Sequence, residues 1–360
     1  MKLHRRLCLL LVVICLTIIA GCGDKTDHRT ARKEDSTVSA SDNTTEKREI
    51  FAMDTIMTIS ATGINAKEAV DEAVEEIQRL DALLSVGNDE SEVSRLNQNG
   101  SGKLSEDVLY LAQRSLKLYD MTQGAFDITV YPLMELWGFT GDNPALPEAE
   151  RIKEVLKLSG SDKLRLEGND LTLGKNQGID FGGIAKGYAG DRIMKIFEKR
   201  GIQSGVISLG GNVQCYHTKE DGSQWRCGVT DPEHPEDSSN LMGILSVADK
   251  AVITSGGYER FFQDNSGRIY HHIMDLKTGY PAESGLTSVT IVSSDGTLAD
   301  GLSTSCFVLG EEKATQLWRD HQQEFDMVLM TTDGRLMVTE GIADSFSSNR
   351  AFSIISFEDD

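Results

Sequence analysis

The feature that most limits what this chain can become is a series of short apolar runs closed by glycine. Lys163–Leu173, Gly205–Tyr216, Ile244–Ile253, Arg268–Asp275 and Thr287–Val292 are too short for ordinary helices and rich in residues that suit a pleated surface. Glu49 to Ser60 reads the same way. Apolar residues repeat at helical spacing in only three places. The first begins at Asn65, with Glu68 completing a capping box, and carries Val70, Ala73, Val74, Ile77, Leu80 and Leu84. The second spans Ser105 to Tyr119, capped by Ser105 and stopped by Gly124. The third starts near Gly183 and ends at Gly201. Strands in series with few interspersed helices predict an α+β fold with largely antiparallel sheets, and no repeat of solenoid period is present.

The N-terminus belongs to a different regime. Lys2, Arg5 and Arg6 precede the apolar run Leu7–Ala20, which at roughly 14 residues falls short of the ~20 needed to span a bilayer. The expected reading is a signal peptide over residues 1–21. Its end, Ile19-Ala20-Gly21-Cys22, resembles a bacterial lipobox, so Cys22 is the expected lipidation site and the protein is expected at the extracytoplasmic face of the bacterial cytoplasmic membrane. Residues 22–48 are polar and poor in large apolar groups, which predicts a disordered tether. Residues 49–357 are left as the folded domain. The net charge of −20 argues against nucleic acid or an anionic surface as an electrostatic partner. In that domain Cys215, Cys227 and Cys306 match no zinc spacing, and a disulfide between Cys215 and Cys227 stays open.

Chemistry concentrates where glycines follow apolar runs: Asp180-Phe181-Gly182-Gly183, Leu209-Gly210-Gly211-Asn212 and Thr254-Ser255-Gly256-Gly257. Each is a turn signal that could also bring backbone N–H groups to a phosphate. None is a dinucleotide fingerprint or a P-loop. Lys186 falls in the first turn of the third helix, and a helix N-terminus beside an ammonium favours a pyrophosphate. Asp300 and Thr304 are four residues apart, on one face if helical, and form a hard-oxygen pair suited to Mg²⁺; the alternative is a helix-capping Asp300 and a merely buried Thr304. His271 and His272 adjoin Asp275 and a Thr278-Gly279 turn, where an imidazole could accept a proton from a hydroxyl.

These segments occur in an order that resembles the ApbE family of FAD:protein FMN transferases. The shared features are Met53-Asp54-Thr55, Leu84-Ser85 with Ser91-Glu92 through Asn97, Gly124-Ala125-Phe126-Asp127 with Leu136-Trp137-Gly138-Phe139, Asp180 through Tyr188, Leu209 through Asn212, Thr254-Ser255-Gly256, His272-Ile273-Met274-Asp275 and Ala299-Asp300 with Thr304. The resemblance implies an FAD cleft between two closely packed halves. FAD would lie across Met53, the loop ending in Val86 and Gly87, Ala125, Phe126, Asp127, Asp180, Lys186 and Ile273, with Ser255 and Gly256 on its phosphate side. Mg²⁺ would be held by Asp300, Thr304 and the carbonyl of Gly183, and His272 would be the catalytic base. FMN would pass from FAD to a threonine or serine hydroxyl, releasing AMP. Acceptors would be flavoprotein subunits of membrane redox complexes or related extracytoplasmic flavoproteins. The alternatives are an FAD pyrophosphatase and a non-catalytic, lipid-anchored flavin-binding protein. Asp54, Gly257 and Leu276 depart from the family's usual Gly, acidic residue and Pro, and the Val86-Gly87 loop lacks the family's frequent aromatic.

Overall fold

A computed structural model describes residues 43–141, 143–237 and 239–358. The apolar leader, Cys22 and the tether up to residue 42 lie outside the described residues. Chain order is preserved in a nine-stranded sheet: Thr44–Ala52, Thr55–Gly63, Ser204–Leu209, Asn212–Tyr216, Ala251–Gly256, Leu286–Ser293, Asp326–Thr331, Leu336–Thr339 and Ser353–Ile355. Every neighbouring pair is antiparallel except the last. The α+β expectation holds.

Alternation along the central strands divides the core. Ile253, Val289, Ile291, Met327 and Leu329 face a large cluster shared with the helices, whereas Val252, Val292, Val328 and Met330 face a second one. A three-stranded sheet that includes Trp225–Thr230 and Leu241–Val247 covers that second face. The α-helices among the described residues are α1 (Ala66–Leu84), α2 (Glu92–Asn99), α3 (Glu106–Met121), α4 (Tyr131–Leu136), α5 (Ala149–Leu156), α6 (Ala185–Arg200) and α7 (Gly296–Asp320). Among the described residues no helix is long and apolar enough to cross a membrane.

Several local expectations are revised. The run from Glu49 to Ser60 is a hairpin, and its first strand begins at Thr44, so the tether ends earlier than residue 48. The turn residues Met53 and Asp54 have φ of 47° and 60°. A two-residue turn with both φ values positive matches the right-handed strand twist, which is why glycine is common there and why Asp54 is strained. Asn65 forms no capping box; its side chain donates to the Arg200 carbonyl at 2.9 Å. Ser105 makes no side-chain cap, and its own N–H donates to Glu92 Oε1 at 2.7 Å. The third helix starts at Ala185 rather than Gly183, after a turn over residues 182–184. Cys215 and Cys227 are buried free thiols with sulfurs 3.7 Å apart.

Candidate active site

The centre of the site is the seam between α6 and α7. Asp300 lies in the second turn of α7, whose cap is Asp295, so the capping alternative for Asp300 does not apply within its own helix. Its carboxylate instead crosses to α6. Gly187 N–H donates to Asp300 Oδ2 at 2.8 Å, and Asn212 Nδ2 donates to Oδ1 at 2.9 Å. Gly187 is the third residue of α6, where backbone N–H groups lack intrahelical partners. The debt runs both ways: Asp191 of α6 accepts from Gly296 N–H and Thr297 N–H, each at 2.8 Å, at the start of α7. The helices cap each other. Such an approach needs glycine, since a Cβ on Gly187 would sit 2.1 Å from the Gly296 carbonyl oxygen.

Thr304, one turn beyond Asp300, lies 3.3 Å from Ser255 Oγ, and Ser255 Oγ is 2.8 Å from Ser303 Oγ. A Cβ on Gly183 would lie 3.3 Å from the Phe126 ring and 3.9 Å from Thr304 Oγ1. Gly183, Phe126, Ser255, Asp300 and Thr304 are therefore neighbours. Gly256 is bare because the Tyr258 ring occupies the space of a side chain there.

Lys186 is the second residue of α6, next to Gly187. Its charge acts on Asp180, Glu259 and His272 together. Burial pushes the Asp180 carboxyl up, against the pull of the Gly182 N–H and of Lys186. The segment carrying Asp180 is held by Asn97, whose side-chain amide donates to the Ile179 carbonyl and accepts from Ile179 N–H, at 2.9 and 2.8 Å. Arg260 also pulls the Asp180 carboxyl down, and the Asp54 charge at the first hairpin turn pushes it up. Glu259 is exposed, two residues beyond Gly257. Desolvation by the surrounding protein pushes its carboxyl up to about 7, with Lys186 pulling the other way.

The two histidines separate cleanly. The strand Ile269–His271 ends before His272. His271 Nδ1 accepts from Ile273 N–H at 3.3 Å, which leaves Nε2–H to donate to the Ala282 carbonyl at 3.2 Å. Both nitrogens are used. His272 Nδ1 lies 3.1 Å from the Arg260 carbonyl and donates there, so the neutral ring keeps an unshared pair on Nε2. Burial, followed by the His271, Arg260 and Lys186 charges, holds His272 down at about 4. Beneath it is an aromatic layer: Trp137 is 5.6 Å from Tyr270, Phe139 is 6.5 Å from His272, and Trp137 Nε1 donates to the Gly279 carbonyl at 3.0 Å. The Leu136-to-Phe139 motif supports the histidine segment.

Not every expected residue presents its side chain here. Asp127 is buried and accepts from Thr129 N–H, Thr129 Oγ1, Ser161 N–H and Ser161 Oγ, so its carboxylate is a local staple and not a ligand-facing group. Ala125 and Phe126 are fixed by Thr122, through the Thr122 carbonyl and Oγ1 respectively. Val86 packs on the main core, and the loop it shares with Gly87 is tied to α2 by Ser94 Oγ donating to the Val86 carbonyl at 3.2 Å. Ile273 is buried beside the histidines. Sequence reasoning assigned no role to Asn212, Gly187, Glu259 or Arg260. Asn212 and Gly187 stood within the quoted motifs, but their partner, Asp300, is 88 and 113 residues away.

In an α+β sheet protein, a lysine at a helix N-terminus next to a carboxylate and a hydroxyl one turn apart suits an anionic ligand. The chain matches the ApbE family over residues 53–329 and belongs to it. It is 32% identical over 270 residues to the FAD:protein FMN transferase of Vibrio cholerae, covering 71% of this chain and 79% of that one. With the Treponema pallidum protein of the same name it shares 33% over 295 residues, covering 77% and 80%. The crystal structure of the ApbE protein from Thermotoga maritima superposes with a TM-score of 0.78 at 31% identity, over 84% of this chain and 99% of that one. The flavin transferase ApbE from Vibrio cholerae superposes with a TM-score of 0.76 at 26% identity, over 84% and 100%.

Proposed function

We propose that this protein transfers FMN from FAD to a threonine or serine hydroxyl of an acceptor flavoprotein and releases AMP. The observation that carries the reading is the start of α6, where Lys186 is the second residue and the next N–H, that of Gly187, meets Asp300 Oδ2 at 2.8 Å. A pyrophosphate beside Lys186 and the first turn of α6 would have its charge met by an ammonium and a helix end.

The acceptor oxygen would attack the FMN-side phosphorus. The new O–P bond forms as the bond to the AMP phosphate breaks, and AMP leaves with that electron pair. The hydroxyl proton goes to His272 Nε2, whose availability is set by the bond from Nδ1 to the Arg260 carbonyl. Ser255 and the Gly256 backbone would line the phosphate side.

The residues present fit Mg²⁺. Among the described residues no three acidic, histidine or cysteine side chains converge as a cage. Asp300 alone, with Thr304 and the Gly183 carbonyl, suits an ion that retains waters and phosphate oxygens as ligands. When bound, Mg²⁺ would offset charge developing on the phosphates.

The decisive experiment incubates the protein with FAD, Mg²⁺ and a candidate acceptor. AMP release matched by an FMN-sized mass gain on the acceptor is the expected result. AMP with free FMN and no adduct would make it a pyrophosphatase instead, and no AMP a flavin binder. The leader and Cys22 support a further part of the proposal, a lipid-anchored enzyme at the outer face of the cytoplasmic membrane, acting on acceptors there. Cys22→Ser should then abolish partition of the full chain into detergent; unchanged partition sinks the anchor.

A further inference from the structure

We infer that Asn212 is a positioning residue for Asp300 and sets the site's preference for Mg²⁺ over Ca²⁺. This rests on the reading of Asp300 and Thr304 as metal ligands. The turn Gly210-Gly211 has φ of 62° and 93° and reverses the chain within two residues, pairing Leu209 with Asn212. Gly210 packs so closely on Thr55 that a Cβ would come within 2.6 Å of its side chain, so the turn cannot be larger there. The result is an asparagine buried at the first position of a central strand, aimed at Asp300.

Asn212 and Gly187 each donate to a different Asp300 oxygen, at 2.9 and 2.8 Å, from two separate elements. Rotation of the carboxylate about its Cβ–Cγ bond is thereby blocked, while each oxygen keeps further acceptor capacity. Gln214, on the same strand face as Asn212, donates to the Gly187 carbonyl at 3.0 Å and so holds the second donor too. The donor is neutral. A lysine in its place would cancel the carboxylate's charge, and an aspartate would repel it. A locked ligand favours Mg²⁺, which demands near-octahedral geometry at about 2.0–2.1 Å, over Ca²⁺, which accepts irregular shells at about 2.3–2.6 Å.

The test titrates Mg²⁺ and Ca²⁺ separately into wild type, Asn212→Ala and Asn212→Ser, with FAD present and no acceptor. The readout is the metal concentration that produces half of the rise in unfolding midpoint. Midpoints in EDTA report whether each variant folds. If Asn212→Ala does not fold, the comparison runs on Asn212→Ser. The expected result is a rise of about tenfold or more in the Mg²⁺ requirement, typical of losing an outer partner of a metal ligand. The Ca²⁺ requirement should change by less than about threefold, and Asn212→Ser should recover part of the loss. Equal weakening for both ions, or no change for either, overturns the inference and leaves the metal site standing. A wild type that responds to neither ion overturns the metal reading and this inference with it.

Discussion

Gly187 donates its backbone N–H to Asp300 Oδ2 at 2.8 Å, which makes the proposed metal ligand also a cap for the neighbouring helix. A methyl group at position 187 has no room, since its carbon would lie 2.1 Å from the Gly296 carbonyl oxygen and 2.6 Å from Asp300 Cβ. Gly187→Ala should force α6 and α7 apart and cost about 1–3 kcal/mol, the usual range for overpacking. Transfer should fall much further than stability, because Asp300 loses its orientation. Denaturant titration and AMP release, measured on the same preparation, check both parts. Activity near that of wild type would separate Asp300 from the chemistry.

His272 and His271 are expected to fail differently. His272→Ala should slow transfer by roughly 10²-fold or more with FAD affinity within a few-fold of wild type. His271→Ala should lower stability, through loss of the Ile273 and Ala282 bonds, while keeping most of the turnover number. Because His272 is held at about 4, its neutral base form persists well below the ordinary 6.5. The wild-type rate should therefore be flat through neutrality and fall only as pH drops toward 4. The same shift links to stability. The unfolded chain takes up the proton near 6.5 and the folded one only near 4, so the stabilising contribution is complete above about 6.5 and is lost as pH falls to about 4. A rate limb that persists unchanged in His272→Ala would show that His272 is not the base.

With its carboxyl pushed up to about 7, Glu259 gains negative charge as pH rises through neutrality, in the space that Lys186 and Asp300 also face. FAD affinity, followed by flavin fluorescence from pH 6 to 8, should weaken as that charge appears next to the phosphates. Glu259→Gln should flatten the dependence and bind FAD at pH 8 as tightly as at pH 6. An identical slope in variant and wild type would place Glu259 away from the phosphates.

Asp54 is held at φ 60°, a conformation that costs a non-glycine residue roughly 1–2 kcal/mol. Asp54→Gly should relieve that strain and raise the unfolding midpoint by a few degrees, as a gain of about 1 kcal/mol does in a domain of this size. It also removes a negative charge that helps raise the Asp180 carboxyl. An unchanged or lower midpoint would mean that the aspartate side chain compensates its own strain.

Much of this molecule was legible in the residues themselves. Helical repetition marked α1, α3 and α6, because apolar spacing reports burial of one face. The spacing of Asp300 and Thr304 placed both on one side of α7, and Gly210-Gly211 was readable as a turn. Runs read as single strands, such as Gly205–Tyr216, proved to be hairpins, since a tight turn interrupts an apolar pattern for only two residues. Motif order also identified the ApbE family.

Tertiary structure alone decided what those residues touch. Asp127 looked like a ligand group and became a staple for Ser161, 34 residues on. Asn97 grips Ile179 across 82 residues, and Trp137 supports the histidine segment by a bond to Gly279 across 142. Asp191 and Asp300 cap each other's helices only because the sheet brings α6 and α7 together. Periodicity and turn preference act through the chain over a few residues, so sequence by itself marked the longest amphipathic helices and the tight turns. Hydrogen-bond partners and the fields that move a proton depend on which elements pack, and that is settled only when the whole sheet has formed.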